Sequence, residues 1–267
     1  MQLTAAFCII PEMARAVRLA FLPTLRDIWQ DPTLFFKISR IFMAYVWTGF
    51  ADGTDENGRP VKEALITQNA YGVVLDLGAG HGHTVNYLDR NKVKTYVALE
   101  PNARMHPLIR QKANEAGYTE ADGSFILLSC YAEDTTSILK LMDRGPHPVD
   151  TIISVLTICT IPDPEITVQK LVRDVLRPGG QILFYEHVLS PRRDVAWWQR
   201  FWAPVWGVLL DGCRLDRPSH LWVEQMEDIA DNGEKISVWK EGKSWGKPGE
   251  PEENLWWHQA GRYVKKE

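Results

Sequence analysis

Cysteine is scarce in this 267-residue chain, and its four cysteines lie far apart in the sequence. They are Cys8, Cys130, Cys159 and Cys213. None belongs to a CxxC pair, so we expect no disulfide framework and favour a reducing compartment. Three histidines, His81, His83 and His106, lie in or near a glycine-rich loop but have no cysteine close to them in sequence. The sequence therefore predicts no metal site.

An excess of charge of one sign is also missing. The chain has 30 basic and 34 acidic side chains, which give a formal net charge of −4. Proteins that bind nucleic acids usually carry a basic surplus on some stretch, and no stretch of this chain has one. We therefore expect a small molecule as the ligand and no nucleic-acid partner.

No long hydrophobic run is present near the N-terminus. The apolar stretch from Leu3 to Ile10 is too short to span a membrane, and no basic residues precede it as they would in a signal peptide. Apolar residues then recur at helical spacing over 13–29 and 34–45. Residues 52–60 are rich in glycine and aspartate, which predicts a turn-rich loop.

Residues 1–50 carry five basic and three acidic side chains on these two amphipathic segments. Such segments either cover the core of a neighbouring domain or lie on lipid. We favour a helical cap formed by residues 1–70, and membrane contact through residues 1–50 is the alternative. The expected location is the cytoplasm or, under the alternative, the periphery of an intracellular membrane. A monomer and a homodimer both remain open.

Tryptophan is absent between Trp47 and Trp197, although the chain contains eleven and nine of them fall in the last 71 residues. In the stretch without tryptophan, short apolar runs alternate with helical patterns, which is typical of strands buried on both faces of a parallel sheet. The predicted strands are 73–77, 95–99, 125–129, 151–156 and 181–185. Each of the first four is followed by a predicted helix. The pattern predicts a doubly wound α/β fold.

We expect this α/β domain to span residues 71–267. A Trp-rich segment at about 190–222 follows the fifth predicted strand and is interpreted as an insertion. Residues 236–239 and 259–264 are predicted strands that complete the sheet. The stretch without tryptophan thus coincides with the predicted strands. The ends that contain tryptophan are the segments that we expect to enclose a small-molecule substrate.

The first predicted strand runs into a glycine-rich loop, DLGAGHG, at residues 76–82. Glycine permits positive φ and lets a ligand approach main-chain N–H groups. A dinucleotide fingerprint GxGxxG would need glycine at position 83 or 85, and a P-loop would need GK followed by Ser or Thr, so neither is present. Glu100 ends the second strand, where a carboxylate can accept hydrogen bonds from both hydroxyls of a ribose. Loop and acid together predict a ribose-containing cofactor.

Three segments, VLDLGAGHG, ALEPN at 98–102 and VLRPGGQILFYEHV at 175–188, resemble the successive motifs of class I S-adenosylmethionine-dependent methyltransferases. Residues 186–217 resemble, more narrowly, the alkyl-thiol S-methyltransferase family, with its Glu-His strand end, Trp-rich helix and Asp-Gly-Cys element. The resemblance implies a Rossmann-like fold with a seven-stranded type of sheet. It also implies S-adenosyl-L-methionine as the cofactor and a small, lipophilic acceptor, with a thiol favoured.

The resemblance further implies which residues bind the cofactor. Asp76 would organise the loop and the methionine ammonium group, and Glu100 would bind the ribose. Related enzymes often have Asp where this chain has Tyr131, so the Tyr131 ring and the Ala132 backbone would contact the adenine instead; packing alone is the alternative for Tyr131. The full set is Asp76, Gly78, Ala79, Gly80, Gly82, Glu100, Pro101, Asn102, Tyr131, Ala132, Glu133 and Ser154.

The acceptor is expected at the carboxyl ends of the fourth and fifth strands, where doubly wound folds place their ligands. A histidine with a pKa of about 6.5 beside a carboxylate could take a proton from a thiol, although a structural role for His187 is the alternative. The predicted catalytic residues are His187, Glu186 and Asp211. The predicted substrate-binding residues are Thr157, Cys159, Trp198, Trp202 and Trp206, with core packing as the alternative for the tryptophans.

Methyl transfer itself depends mainly on alignment, which can lower the barrier by about 7–11 kcal/mol, so a strong base is not obligatory. Two other functions remain open from the sequence. One is O- or N-methylation of a natural product in secondary metabolism. The other is a cofactor-binding protein of the same fold that does not transfer a methyl group.

Overall fold

A sheet of seven strands lies at the centre of the computed structural model, which describes residues 1–230 and 233–267. The strands are β1 (Gly72–Leu77), β2 (Val93–Leu99), β3 (Phe125–Leu128), β4 (Val149–Val155), β5 (Leu176–His187), β6 (Glu227–Ile229), β7 (Lys235–Ser237), β8 (Trp239–Gly246) and β9 (His258–Lys265). The sheet has the order β3-β2-β1-β4-β5-β9-β8, and β6 pairs with β7 as a separate hairpin. Strands β1 to β5 run parallel to one another, whereas β9 is antiparallel to both β5 and β8.

Helices cover the sheet and extend from the N-terminus. The α-helices are α1 (Leu3–Ala6), α2 (Ile9–Gln30), α3 (Ile38–Lys62), α4 (His106–Glu115), α5 (Thr135–Met142), α6 (Pro164–Lys170), α7 (Arg193–Leu209) and α8 (Ser219–Glu224). Short 3-10 helices occupy Pro32–Lys37 and His83–Tyr87, and π-helical turns occupy Glu63–Thr67 and Leu171–Val175. Among the residues that the structure describes, none of the helices combines the length and the apolar character that crossing a bilayer requires.

The central strands are buried on both faces because alternate side chains enter two different apolar clusters. Val74 and Tyr96 pack into the cluster beside α3 and α4, and their neighbours Leu75 and Val97 pack into the cluster beside α5 and α6. Side chains two apart along a strand share a face, so a strand with apolar residues at every position needs a helical layer on each side. The predicted fold class, a mainly parallel sheet with flanking helices and an N-terminal helical region, is confirmed.

Three local predictions were wrong. Residues 236–239 do not form one strand of the central sheet, because Lys235–Ser237 pairs with β6 in the separate hairpin and β8 begins at Trp239. The predicted helix after the first strand is only the 3-10 segment His83–Tyr87, since just ten residues separate Gly82 from β2 and half of them form the following turn. The loop predicted at residues 52–60 is the last part of α3, despite Gly53 and Pro60 within it. Tertiary contacts outweigh weak helix propensity there, because Asp55 accepts hydrogen bonds from Tyr87 and forms an ion pair with Lys62.

The two ends of the chain meet in a third apolar cluster. Ala16 and Ala20 of α2, Val46 of α3 and Ala203 of α7 are all buried there. Helix α7 continues through Pro204, which lies inside it. The predicted Trp-rich insertion therefore packs directly on the N-terminal helices, and both lie beside the carboxyl edge of the sheet. A boundary between two units at about residue 70 stays a prediction.

The docking of α3 on the sheet gives a paired stability prediction. A Cβ on Gly58 would lie 2.9 Å from Cε1 of Tyr185, a ring that is 2% exposed and stacked on His258. A Cβ on Gly53 would meet nothing within 4 Å. We expect Gly53→Ala to gain up to about 1 kcal/mol of stability from helix propensity, and Gly58→Ala to lose about 1–3 kcal/mol through overpacking. Thermal unfolding of both variants checks this, and an equal rise in both Tm values would contradict the packing.

Candidate active site

A cavity of about 810 Å³ opens at the carboxyl edge of the parallel strands. Its wall combines the loops that follow β1, β2, β3, β4 and β5 with α3 and the end of α7. Thirteen residues that the sequence analysis singles out line it: Gly78, Gly80, Glu100, Pro101, Asn102, Tyr131, Ala132, Glu133, Thr157, Cys159, His187, Trp206 and Asp211. The structure thus brings predicted cofactor residues and predicted acceptor residues into one space.

Seven of the predicted site residues lie outside the lining. They are Asp76, Ala79, Gly82, Ser154, Glu186, Trp198 and Trp202. The first five lie within or directly behind the loops that form the wall. The two tryptophans lie on a different face of α7.

The glycine-rich loop presents bare main chain to the cavity. Gly78 and Gly80 have φ of +58° and +56°, which side chains other than glycine rarely adopt. A Cβ on Gly78 would lie 2.6 Å from Cγ2 of Thr157, and one on Gly80 would lie 2.8 Å from Nε1 of Trp47. Glycine is therefore required at both positions by conformation and by space.

Glu100 connects the loops after β1 and β2. Its Oε2 accepts a hydrogen bond from the Gly80 amide at 2.9 Å, and its Oε1 accepts one from the Asn102 amide at 2.8 Å. Burial raises the pKa of Glu100 to about 7, against the effect of these amides. Each carboxylate oxygen keeps a lone pair, so Glu100 can accept further hydrogen bonds from a ligand in the cavity.

Asp76 lies behind the glycine-rich loop. The hydroxyl of Tyr96 donates a hydrogen bond of 2.8 Å to its carboxylate. Asp76 is 1% exposed, and burial raises its pKa to about 7. It lies in the core behind the loop and is not among the residues that line the cavity.

Residues of the N-terminal helices close one side of the cavity. The Asn102 side chain donates to the carbonyl of Arg40 at 3.0 Å, and the Arg40 guanidinium lies 5.0 Å from the centre of the Tyr131 ring and donates to its hydroxyl. Ser39 donates to Asp211 at 2.6 Å. Sequence reasoning missed Ser39, Arg40 and Trp47, because amphipathic spacing predicts a helix but not which loop it covers.

Three buried side chains with sulfur or imidazole groups meet in the cavity wall. Sγ of Cys213 lies 3.4 Å from Sγ of Cys159 and 3.3 Å from Nε2 of His187, and Nε1 of Trp206 donates to it at 3.3 Å. Cys159, His187 and Cys213 are called the sulfur cluster below. They are separated by tens of residues in sequence, so no spacing pattern could have indicated their contact.

Electrostatics within the sulfur cluster favour a charge on one sulfur. The hydrogen bond from Cys159 and the nearby imidazole lower the pKa of Cys213 well below its ordinary value. Burial lowers the pKa of His187, but the Cys213 sulfur outweighs burial and the net shift is upward. Nδ1 of His187 is buried and has no hydrogen-bond partner among the described residues.

Glu186 holds the loop that carries Cys159. Its Oε1 accepts hydrogen bonds from the Ser154 hydroxyl at 2.7 Å and from the Thr157 amide at 3.0 Å. Glu186 is fully buried and burial raises its pKa. The structure therefore places Glu186 behind the wall, where its Oε1 holds the loop and its Oε2 has no hydrogen-bond partner among the described residues.

Only one of the three predicted substrate-binding tryptophans reaches the cavity. Trp206 lines it, whereas Trp198 packs 5.2 Å from Phe7 between ring centres and Trp202 donates to the carbonyl of Ala6 at 2.8 Å. Each step of four residues turns about 40° around a helix, so Trp198 and Trp206 point about 80° apart. Trp198 and Trp202 thus attach α7 to the N-terminus, as the packing alternative proposed.

Sequence comparisons find a family and named relatives. A family model described as "Methyltransferase domain" matches residues 51–242. Human thiol S-methyltransferase TMT1B is 40% identical over 221 residues, which cover 78% of this chain and 83% of that protein. Rat thiol S-methyltransferase TMT1B is 28% identical over 168 residues, which cover 62% of this chain and 64% of that protein.

Solved structures share the fold. An O-methyltransferase family protein from Burkholderia thailandensis has a TM-score of 0.58 at 11% identity, with 95% of this chain and 72% of that chain covered. The CurJ carbon methyltransferase has a TM-score of 0.52 at 14% identity, with 92% of this chain and 70% of that chain covered. At such identities the likeness shows the architecture, and the chemistry has to be argued from the cavity itself.

Proposed function

The chain belongs to the methyltransferase family, together with thiol S-methyltransferases such as human TMT1B, and we propose that it transfers a methyl group from S-adenosyl-L-methionine to the sulfur of a small, lipophilic thiol. The observation that carries the proposal is one cavity lined both by the glycine-rich loop with Glu100 and by the sulfur cluster. Membership of the family implies a cofactor of the S-adenosylmethionine type. The named residues and the acceptor are the proposal.

The cavity wall fits this cofactor. Glu100 has free lone pairs for the two ribose hydroxyls, and the bare main chain at Gly78 and Gly80 allows close approach of the methionine part. Tyr131 and Ala132 lie where the adenine would bind, on the loop after β3. Pro101, Asn102 and Glu133 complete this part of the wall, while Asp76, Ala79, Gly82 and Ser154 support it from behind.

When bound, the cofactor supplies a methyl group activated by a sulfonium charge. An electron pair of the acceptor sulfur forms the bond to the methyl carbon as the bond from that carbon to the sulfonium sulfur breaks, with its pair left on that sulfur. The chain's part is to align the two sulfur atoms and to exclude water, which can supply about 7–11 kcal/mol. Walls formed by Thr157, Trp47 and Trp206 provide a largely apolar setting for this alignment.

An acceptor thiol reacts as its thiolate, so its proton must be removed. A cysteine-like thiol has a pKa of about 8.5, whereas a phenol has one of about 10 and needs more help. His187 is the histidine of the sulfur cluster and faces the cavity, so we assign to it the promotion of this ionisation. Glu186 serves as a positioning residue, and Asp211 joins α7 to α3 through Ser39.

We assign residues 1–70 and 190–222 to the enclosure of the acceptor. Met43, Trp47 and Phe50 from α3 line the same cavity as Trp206 from α7. An apolar lining of this kind suits a lipophilic thiol better than a charged acceptor.

A labelled-methyl assay tests the activity. Hexanethiol, hexylamine and a phenol of similar size are each incubated with the chain and labelled S-adenosyl-L-methionine. We expect the thioether to form at least about tenfold faster than the other products, because sulfur is intrinsically the strongest nucleophile of the three acceptor atoms. Product from the phenol or the amine alone would favour O- or N-methylation. Tight cofactor binding with no product would favour the non-methylating alternative.

The pKa of Glu100 gives a second prediction. Its carboxylate form accepts hydrogen bonds from both ribose hydroxyls, and a raised pKa of about 7 means that it gains a proton as the pH falls below 7. S-adenosylhomocysteine should therefore bind more tightly as the pH rises through 7. Glu100→Gln should bind about ten- to a hundredfold more weakly and lose this pH dependence, since hydrogen bonds to a charged group contribute about 1.5–3 kcal/mol each.

Isothermal titration of both proteins on either side of pH 7 measures this, with thermal unfolding to show that the variant is folded. An unchanged affinity and an unchanged pH dependence in Glu100→Gln would remove Glu100 from the cofactor site.

We also propose that residues 1–50 contact an anionic membrane surface. Large apolar side chains stand exposed on this segment, among them Leu22 at 71%, Trp29 at 89% and Phe36 at 90%. Exposed arginines at positions 15, 18 and 26 lie between them. Exposed apolar groups mixed with basic ones suit the interface of an anionic bilayer. Contact of this kind would present the cavity to lipophilic acceptors held in the membrane.

Flotation with vesicles tests membrane contact in the full chain. We expect flotation with phosphatidylcholine vesicles that contain phosphatidylserine and a several-fold loss in the double variant Leu22→Glu, Trp29→Glu. Ile166→Glu is the matched control, because Ile166 is 55% exposed on α6, outside the segment. Equal flotation of all three proteins would contradict the proposal.

A further inference from the structure

We propose that Cys159, His187 and Cys213 bind a zinc ion whose fourth coordination position faces the cavity and takes the acceptor sulfur as a thiolate. The zinc site itself stands on the geometry of the sulfur cluster. Its role toward the acceptor rests on the proposed thiol methylation.

The ligand atoms already lie close to the separations that zinc requires. In a tetrahedral site, zinc lies about 2.3 Å from sulfur and about 2.0–2.1 Å from nitrogen. These bond lengths place two sulfurs about 3.8 Å apart, and a sulfur and a nitrogen about 3.6 Å apart. The sulfurs of Cys159 and Cys213 are 3.4 Å apart, and Nε2 of His187 is 3.3 Å from Sγ of Cys213. All three ligand atoms lie within 4.8 Å of one another, so side-chain shifts of about an ångström bring the set to these separations.

The three ligands are held on separate, well-anchored elements. Cys159 follows β4, His187 ends β5 and Cys213 follows α7. The Arg214 amide donates to the Cys159 carbonyl at 3.0 Å, which joins the two cysteine segments. The Arg217 guanidinium donates to the carbonyls of residues 158 and 161 at 2.8 and 2.7 Å, which anchors the same loop from its other side. A site fixed in this way before the ion binds needs little ordering.

The chemistry of the set selects zinc. Two thiolates and one imidazole match the ligands of three-residue zinc sites that keep one position open, and soft thiolates disfavour magnesium and calcium. Both cysteines bind zinc as thiolates, so two negative sulfurs balance the charge of the ion in a buried place. The indole N–H of Trp206, 3.3 Å from Sγ of Cys213, supplies the hydrogen bond to a ligating sulfur that supports metal sites.

The open position explains why the set lies in the cavity wall. Cys159, His187 and Cys213 all line the cavity, so the remaining tetrahedral position of the ion points to the space for the acceptor. The acceptor R–SH gives up its proton to solvent when its sulfur binds zinc. A lone pair of that sulfur then forms the bond to the methyl carbon, and the neutral thioether, a weaker ligand, leaves the ion. His187 thus promotes ionisation through the metal and not as a free base.

Metal binding by the intact chain is the first test. Metal-free protein is titrated with Zn²⁺ in competition with a chromophoric chelator. We expect one equivalent bound, and at least about a hundredfold weaker binding in Cys159→Ser, Cys213→Ser and His187→Ala. Cys8→Ser is the matched control, since Cys8 is half-buried but lies outside the cluster. Equal zinc affinity in Cys213→Ser and Cys8→Ser would overturn the site.

A spectroscopic test needs no buried substitution. The unaltered chain is loaded with Co²⁺, and 2-mercaptoethanol is added. Thiolate-to-cobalt charge-transfer bands of a tetrahedral site should appear on loading and strengthen when the added thiol takes the open position. A six-coordinate spectrum without such bands would overturn the site, as would a disulfide between Cys159 and Cys213 in freshly purified, metal-free protein that resists mild reduction.

Activity measured with and without metal separates the two proposals. Methylation of hexanethiol that falls at least tenfold on zinc removal and returns with Zn²⁺ supports both. Full methylation without metal overturns the zinc role and leaves the proposed function intact. Zinc binding without methylation of any acceptor overturns the function and leaves the site. His187→Ala adds a pH profile: a defect that persists above the pKa of the thiol supports a ligand role, and recovery there indicates a free base.

Discussion

Two buried carboxylates fix the loops at the carboxyl edge of the sheet, and the cavity depends on them. Glu100 directly follows β2 and accepts a hydrogen bond from the amide of Gly80 in the loop after β1. Glu186 is the last residue but one of β5 and accepts a hydrogen bond from the amide of Thr157 in the loop after β4. Thr157 in turn donates to the carbonyl of Leu77, which joins the two loops. In each case the carboxylate accepts a hydrogen bond from a main-chain N–H group in the loop after the neighbouring strand. No helix cap is available there to satisfy that group. The main chain that lines the cavity is therefore positioned by these two buried carboxyl groups.

The enclosure on the other side is built from apolar contacts between distant parts of the chain. Helices α2, α3 and α7 share one cluster, and Trp202 attaches α7 to the first residues through the carbonyl of Ala6. The polar contacts of Ser39 and Arg40 with Asp211 and Tyr131 then connect this enclosure to the sheet. A rigid sheet edge opposite a helical cover is the arrangement that an aligned, water-free transfer requires.

The sequence predicted the strands well because residues buried on both faces leave continuous apolar runs, and it predicted the loop and Glu100 because their spacing is local. The helical state of residues 52–60 escaped prediction, since Asp55 is held there by Tyr87, which lies 32 residues further along the chain. The same holds for the sulfur cluster, whose two cysteines are 54 residues apart. The roles of individual residues in the cavity stay predictions, because geometry shows what can contact a ligand and not what does.

The distribution of tryptophan has an optical consequence. Strands β1 to β5 contain none, so the tryptophan emission of the chain comes from its two ends. Trp47, Trp206 and Trp256 line the cavity, and the Trp206 indole lies against the sulfur of Cys213, a group that quenches indole fluorescence when it is ionised. The chain therefore carries its own fluorophores at the place where ligands would bind, and strands β1 to β5 add no tryptophan emission to theirs.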